Sequence, residues 1–189
     1  MTEQEYFTVH HSLTANIEPM GSEFVLPSQI QFEAEIPAPF VVASEFSQLD
    51  LLADNARIEL KNSDLKNVIS LLDTQNSKLN LLLSFMLAQQ DDEQFRTHTY
   101  SFGASLFSCY ADQPLEAGQI VKAKLFLEYP AAAIYCYAQV LTSQEKDSGF
   151  EVNFKYALLR DTDQDLLIKA ALHQQQKLLR QRSLDRDNK

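Results

Sequence analysis

Apolar and polar positions follow three regimes along this chain. Within residues 1–43, Ile30, Phe32, Ala34 and Ile36 alternate with polar neighbours, the period of two that lines one face of a strand. Tyr6, Phe7 and Val9, then Leu13, Ala15 and Ile17, offer two further short strands, punctuated by Pro19, Gly21 and Pro27 and stopped by Pro37-Ala38-Pro39. That proline content favours edge positions over central ones.

From Ser44 the step changes to three and four. Phe46, Leu49, Leu52, Ala53, Ala56 and Leu60 fall on one helical stripe. A break at Asn62 and Ser63 precedes a second helix, which Ser63 can cap with Asp64 favourably placed in the first turn. In that helix Leu65, Val68, Leu72, Leu79, Leu82 and Met86 keep the spacing of an a/d seam, with Gln75 at the d position between the two groups. Leu71, Leu81, Leu83, Phe85 and Leu87 widen the apolar face, which suits a helix buried on several sides. Packing on its own domain and self-association are the two readings. Gln75 favours the second, because a polar core residue costs stability but can fix register and oligomer number.

After Asp91-Asp92-Glu93 the period becomes two. Strand-like runs cover Tyr100 to Tyr110, Ile120 to Tyr129, Ile134 to Thr142 and Phe150 to Tyr156, separated by Pro114, Gly118, Pro130 and Asp147-Ser148-Gly149. Short strands at regular intervals predict an antiparallel sheet closing towards a small barrel. A terminal helix follows, with Thr162 as its cap, Asp163 and Asp165 in its first turn, and Arg180 and Arg182 near its end. Leu166, Leu167, Ala170, Ala171 and Leu178 give it a packing stripe for the barrel mouth or for the earlier helices. The expected class is α+β. Its expected regions are an acidic N-terminal part with short strands (1–43), a helical oligomerisation segment (44–92), and a barrel with a C-terminal helix (93–189).

Composition supports a sizeable core: 189 residues, 45% of them hydrophobic. The net charge of −10 argues against broad attraction to nucleic acid or an anionic membrane. Its distribution is uneven. Residues 1–60 hold ten acidic residues against Arg57 alone, whereas Lys177, Arg180, Arg182, Arg186 and Lys189 outnumber Asp185 and Asp187 in the last thirteen. An anion is therefore expected to meet the second half. The start MTEQEYF has no basic and apolar leader pattern and no apolar run is long enough to span a bilayer, so a soluble, cytoplasmic chain is expected.

Chemical motifs are sparse. With four glycines in the chain, no P-loop or dinucleotide-binding glycine pattern is present. His10 and His11 are adjacent in a strand and point to opposite faces, which disfavours a shared metal. Cys109 and Cys136 sit in apolar runs and read as reduced core thiols rather than nucleophiles paired with His98 or His173. Asp91-Asp92 and Asp161-Thr162-Asp163 read as helix-end charges rather than acid-base pairs. The expectation is a protein that is not an enzyme and holds no metal or cofactor.

Residues 95–107 read FRTHTYSFGASLF, followed by a turn before LEAGQIVKAKLFLEY, then YCYAQVL, SGFEVNFKYA and a helix. This order resembles a PilZ domain, the bacterial receptor module for cyclic di-GMP, over roughly the second half of the chain. Members carry an RxxxR linker and a [DN]xSxxG turn. The resemblance implies ligand roles for Arg96, Thr99, Ser101 and Gly103, with Arg180 or Arg182 assisting from the terminal helix. The pattern departs from the family's: Tyr100 stands where the second arginine falls, Thr99 replaces the acidic or amide residue, and Ala104 holds the glycine position with Gly103 one step early. Loss of one planar guanidinium removes charge and bidentate geometry together. Tyr100, Phe102 and Leu106 also fit inward-facing barrel positions. A heptad-bearing helix ahead of such a barrel resembles the atypical PilZ subgroup that lacks the usual ligand residues and assembles as tetramers through helical bundles. Two functions follow as expectations. One is a cyclic di-GMP effector with a degenerate motif acting through protein partners; the other is a homo-oligomeric scaffold, dimer or tetramer, that binds no nucleotide.

Overall fold

Seven antiparallel strands and four helices make up the computed structural model, which describes residues 7–60, 65–146 and 149–187. The strands are β1 (Thr8–His10), β2 (Thr14–Pro19), β3 (Arg96–Gly103), β4 (Leu106–Ala111), β5 (Ile120–Leu127), β6 (Ala132–Lys146) and β7 (Gly149–Leu158). Their order is β1-β3-β2-β5-β6-β7-β4, and β3 also pairs with β4. Strands β2 to β7 thereby close a six-stranded barrel, and β1 continues along the edge of β3 beyond β2. The α+β class with a small antiparallel barrel is the observed architecture.

Helices α1 (Gln29–Glu35), α2 (Ala38–Leu60) and α3 (Lys66–Ala88) lie in sequence between β2 and β3, which are neighbours in the barrel. The N-terminal strands are thus part of the barrel wall, and the helices are inserted between two of its staves. Prolines do not confine β2 to an edge: it sits between β3 and β5, with Pro19 as its last residue.

Four local expectations are corrected. The alternating run from Ile30 to Ile36 is helical, because Ser28 and Gln31 form a reciprocal capping box. Phe32 and Ile36, one helical turn apart, are buried while Ile30 is exposed. Helix α2 starts at Ala38, not Ser44; a proline in the first turn loses no intrahelical bond, so Pro39 opens the helix rather than blocking it. The single run from Tyr100 to Tyr110 is two strands, β3 and β4, turning at Gly103-Ala104-Ser105. Helix α4 (Asp161–Asp187) begins one residue before Thr162, which lies within its first turn rather than capping it. Tyr6, the Asn62-Ser63 break, the Ser63 cap with Asp64, and Asp147-Ser148 lie outside the described residues.

The barrel core is aromatic and aliphatic, with Phe107 stacked on Phe154 at 4.8 Å beside Val121, Leu125, Val140 and Val152. Strand β6 is buried continuously from Ala132 to Ala138, because a second layer covers it from outside. Phe32 of α1 stacks on Tyr135, and Phe40 of α2 meets Phe126 and Tyr135. Leu166, Leu167, Ala170 and Ala171 of α4 are buried, and Gln164 donates to the Ala104 carbonyl at 3.2 Å. Helix α4 therefore covers the barrel end where β3 finishes and β4 begins. No helix among the described residues is long and apolar enough to cross a membrane.

Candidate functional site

Arg96 enters β3 through a single 3-10 turn (Glu93–Phe95), whose Gln94 amide donates to the Asp92 carboxylate. Its position is fixed from behind. Asn16 of β2, 3% exposed, donates to Asp91 Oδ1 at 2.7 Å and to the Asp92 carbonyl at 3.2 Å, and accepts from the Asp92 amide at 2.9 Å. Asp91 Oδ2 in turn accepts from Arg96 Nε at 2.7 Å. Lys124 adds a bond to the Gln90 carbonyl at 2.9 Å. The α3–β3 linker is thus clamped to the barrel wall. Asn16 was not singled out from sequence, because its partners stand 75 and 76 residues away and no local spacing marks the contact.

The other motif residues serve the sheet. Thr99, buried, donates to the His11 carbonyl and accepts from the Leu13 amide, both at 2.9 Å. Ser101 begins a hydrogen-bonded row across four strands: Ser101 donates to Ser108 (3.2 Å), Ser108 to Asn153 (2.6 Å), and Asn153 to Thr142 (2.9 Å). A Cβ at Gly103 would clash with the Phe7 carbonyl oxygen, so this glycine admits the backbone leading into β1. Between them, Tyr100 is half-buried rather than a core residue. It stacks on His10, tilts against Tyr110, and donates to Glu151 at 2.6 Å; burial, with that bond, raises its phenol pKa. Phe102 is the member of the expected inward trio that is fully buried, and Leu106 is half-buried. A register shift against β4 between Thr99 and Ser101 breaks the simple alternation.

Arg96 and Gly103 stand at opposite ends of β3, about 23 Å apart at ~3.3 Å per residue. Arg180 and Arg182 lie towards the end of α4, beyond the part that covers the Gly103 end of the barrel. Arg180 borders a groove with His173, Lys177 and Leu184. The expected ligand residues are therefore dispersed rather than gathered round one position.

A cavity of about 390 Å³ does include Arg96. It opens at the barrel end opposite α4, where β2 and β6 finish and β7 begins. Ile17, Phe95, Leu115 and Phe154 supply apolar wall, while Arg96 and Lys146 supply positive charge. Cys109 lies at its inner side, and burial pushes both the Cys109 and Cys136 thiols far up. His173 packs its ring on Tyr129 at 4.2 Å. Among the described residues no cluster of three or more His, Cys, Asp or Glu side chains is placed to hold a metal ion.

The helices form a second feature. Helices α2 and α3 pack on each other, and polar groups face across that contact: Asn76 donates to Asp50 at 3.1 Å and Arg57 pairs with Asp73 at 2.8 Å. Among the described side chains of these two helices, those buried are at the start of α2 (Phe40, Ala43, Ser44, Ser47) and the end of α3 (Leu83, Leu87). The seam positions Leu65, Val68, Leu72, Leu79, Leu82 and Met86 are exposed, from 44% at Met86 to 61% at Leu82, and Leu71, Leu81 and Phe85 are exposed beside them. Leu49, Leu52 and Ile58 of α2 are open as well. Of the packing stripe read for α2, Phe46 packs against the core, whereas Leu49, Leu52, Ala53 and Ala56 stay exposed within one copy.

No protein-family model matches the chain, and no curated protein matches it in sequence. Solved structures do. A pathogenic protein from Xanthomonas campestris, a tetrameric PilZ domain self-assembled via a helical bundle, matches at TM-score 0.58 and 11% identity over 93% of this chain and 91% of its own. The Bacillus subtilis inhibitor of motility (MotI/DgrA) matches at TM-score 0.49 and 11% identity over 94% of this chain. This chain spans 53% of that protein's length. The first of these matches defines the fold as PilZ-like.

Proposed function

We propose that this chain is a non-enzymatic signalling protein of PilZ type that works by self-assembly, its α2–α3 hairpin joining copies into a helical bundle that presents several barrels to a protein partner. The observation that carries this reading is the exposed seam on α3. Polar residues are spent on the α2–α3 contact and leucines are turned outward, the reverse of a two-helix unit that is complete by itself. Removing each half-exposed leucine from water contributes about 1 kcal/mol or more. Two helices' worth of such residues can offset an association cost of about 4–15 kcal/mol. The tetrameric Xanthomonas PilZ domain offers a precedent for such a bundle.

Light scattering of the full chain tests it. The wild type is expected at a multiple of 21.5 kDa, and Leu72→Asp with Leu79→Asp at the monomer mass with its circular dichroism retained. A monomeric wild type, or an unchanged mass in the double variant, refutes the reading.

Cyclic di-GMP reception is the second reading, favoured by Arg96, whose guanidinium is partly open to solvent at the start of β3. Against it, Asp91 and Glu93 already flank that guanidinium, and Thr99 and Ser101 are engaged in the sheet. Calorimetric titration with cyclic di-GMP decides: saturable, salt-sensitive heat lost in Arg96→Ala supports reception, and no heat supports an assembly that acts without nucleotide.

A further inference from the structure

The barrel is closed at one end and open at the other. Helix α4 covers the Gly103 end with buried Leu166, Leu167, Ala170 and Ala171, so the interior there is filled. At the opposite end the walls enclose about 390 Å³, within the ~300–1,000 Å³ typical of small-molecule sites. We propose that this open end binds a single-chain carboxylate, its apolar body inside the barrel mouth and its anionic head between Arg96 and Lys146.

Three observations carry the assignment. The first is the wall: Ile17 of β2, Phe95 of the linker, Leu115 beyond β4 and Phe154 of β7 offer an apolar body a surface from four directions. The second is the rim. Arg96 and Lys146 both line the cavity, and Asp112 is the acidic side chain among the described lining residues, so two cations meet one carboxylate at the wall itself, with Asp91, Glu93 and Glu151 as the cations' partners. The third is preorganisation. Arg96 is held through Nε by Asp91, itself held by Asn16, which leaves the terminal guanidinium nitrogens for a carboxylate. Their present acidic neighbour, Glu93, is 3.5 Å away with its side chain 86% exposed, a weak competitor. Lys146 is held as loosely, at 3.6 Å from Glu151.

The same features select the ligand class. A cyclic dinucleotide carries two phosphates and polar rings but no apolar body, so it does not suit the aliphatic and aromatic wall. A two-chain lipid exceeds the volume. A medium-chain fatty acid satisfies both wall and rim. This site is independent of the α3 seam and shares Arg96 with the nucleotide reading, from which Lys146 and the apolar wall set it apart.

The test uses decanoate, octanoate and 1-octanol with the full chain, followed by calorimetry and by methyl NMR of Ile17 and Leu115. One decanoate per chain is expected, with octanoate weaker, 1-octanol weaker still than octanoate, and the two methyl signals shifting on binding. Lys146→Gln, at a side chain 55% exposed, keeps the fold and should weaken decanoate by about tenfold, the weight of one charge-assisted hydrogen bond. Adding Arg96→Gln should weaken it further, and Ala111→Phe, which fills the mouth, should abolish it. Absence of saturable decanoate binding to the folded wild type overturns the proposal. So does 1-octanol binding as tightly as octanoate, or decanoate affinity unchanged in the Lys146→Gln, Arg96→Gln variant.

Discussion

The Thr99 hydroxyl and the Leu13 amide meet at 2.9 Å across 86 residues of chain, and the same hydroxyl donates to the His11 carbonyl. One side chain thus satisfies both backbone groups of the β1–β2 connection where it crosses β3. Thr99→Val leaves the Leu13 amide without its partner in a buried place, a loss of about 1–3 kcal/mol. Thr99→Asp, which makes the position acidic, is expected to cost more, because a carboxylate there is buried against the His11 carbonyl with no cation supplied. Urea unfolding of the three proteins should give midpoints in the order wild type, Val, Asp. An Asp variant at least as stable as wild type contradicts the structural role of Thr99.

Gly103 makes a related case at the other end of β3. Its backbone does not need a positive φ, so the reason for glycine is space: Thr8 pairs with it, and any Cβ would strike the Phe7 carbonyl. Gly103→Ala should displace β1 and cost about 1–3 kcal/mol, the range for overpacking. Hydrogen exchange at Val9 and His11 should accelerate while β5 and β6 amides stay protected. Unchanged protection at those two amides would show that β1 adapts without loss.

Legibility in the sequence tracked how local each cause is. Strand β5 alternates buried and half-buried positions along its whole length, so period two identified it. Helix α3 was equally readable, because its three-and-four spacing lies within one helix. Helix α1 was misread although Ser28 and Gln31 carried the capping signal, since an alternating run of seven residues fits both periods and only Phe32 and Ile36 found a core. Pairing of β2 with β3 around three inserted helices left no local trace. Nor did the clamp of Asn16 on Asp91, or the way Thr99 and Ser101 are absorbed by the sheet: each needs the folded neighbours to be known.

His11 gives the fold a pH response. Its ring is partly buried against Phe102, and burial lowers its pKa from the ordinary value, with Lys177 acting in the same direction and Glu128 opposing. A histidine whose folded pKa is depressed favours folding when neutral. Its contribution is present above about pH 6.5 and is lost as pH falls through the lower folded value. The melting temperature of the wild type should therefore drop between pH 7 and pH 5 by more than that of His11→Gln. Parallel profiles for the two proteins would remove His11 as the cause.

Gln75 tests what the seam is for. It occupies the d position between Leu72 and Leu79 and is exposed in the single copy, as its apolar neighbours are. Within one chain Gln75→Leu changes little, since nothing in the described structure covers the position. Within a bundle the amide is buried, costs stability, and restricts which registers and copy numbers are compatible with its hydrogen bonds. Gln75→Leu should then lower the concentration at which the assembly half-dissociates on dilution, while broadening the masses seen by native mass spectrometry. A variant with the same dissociation midpoint and a single unchanged mass would place Gln75 outside any interface, and the contact would have to run along the flank of α3 carrying Leu81 and Phe85.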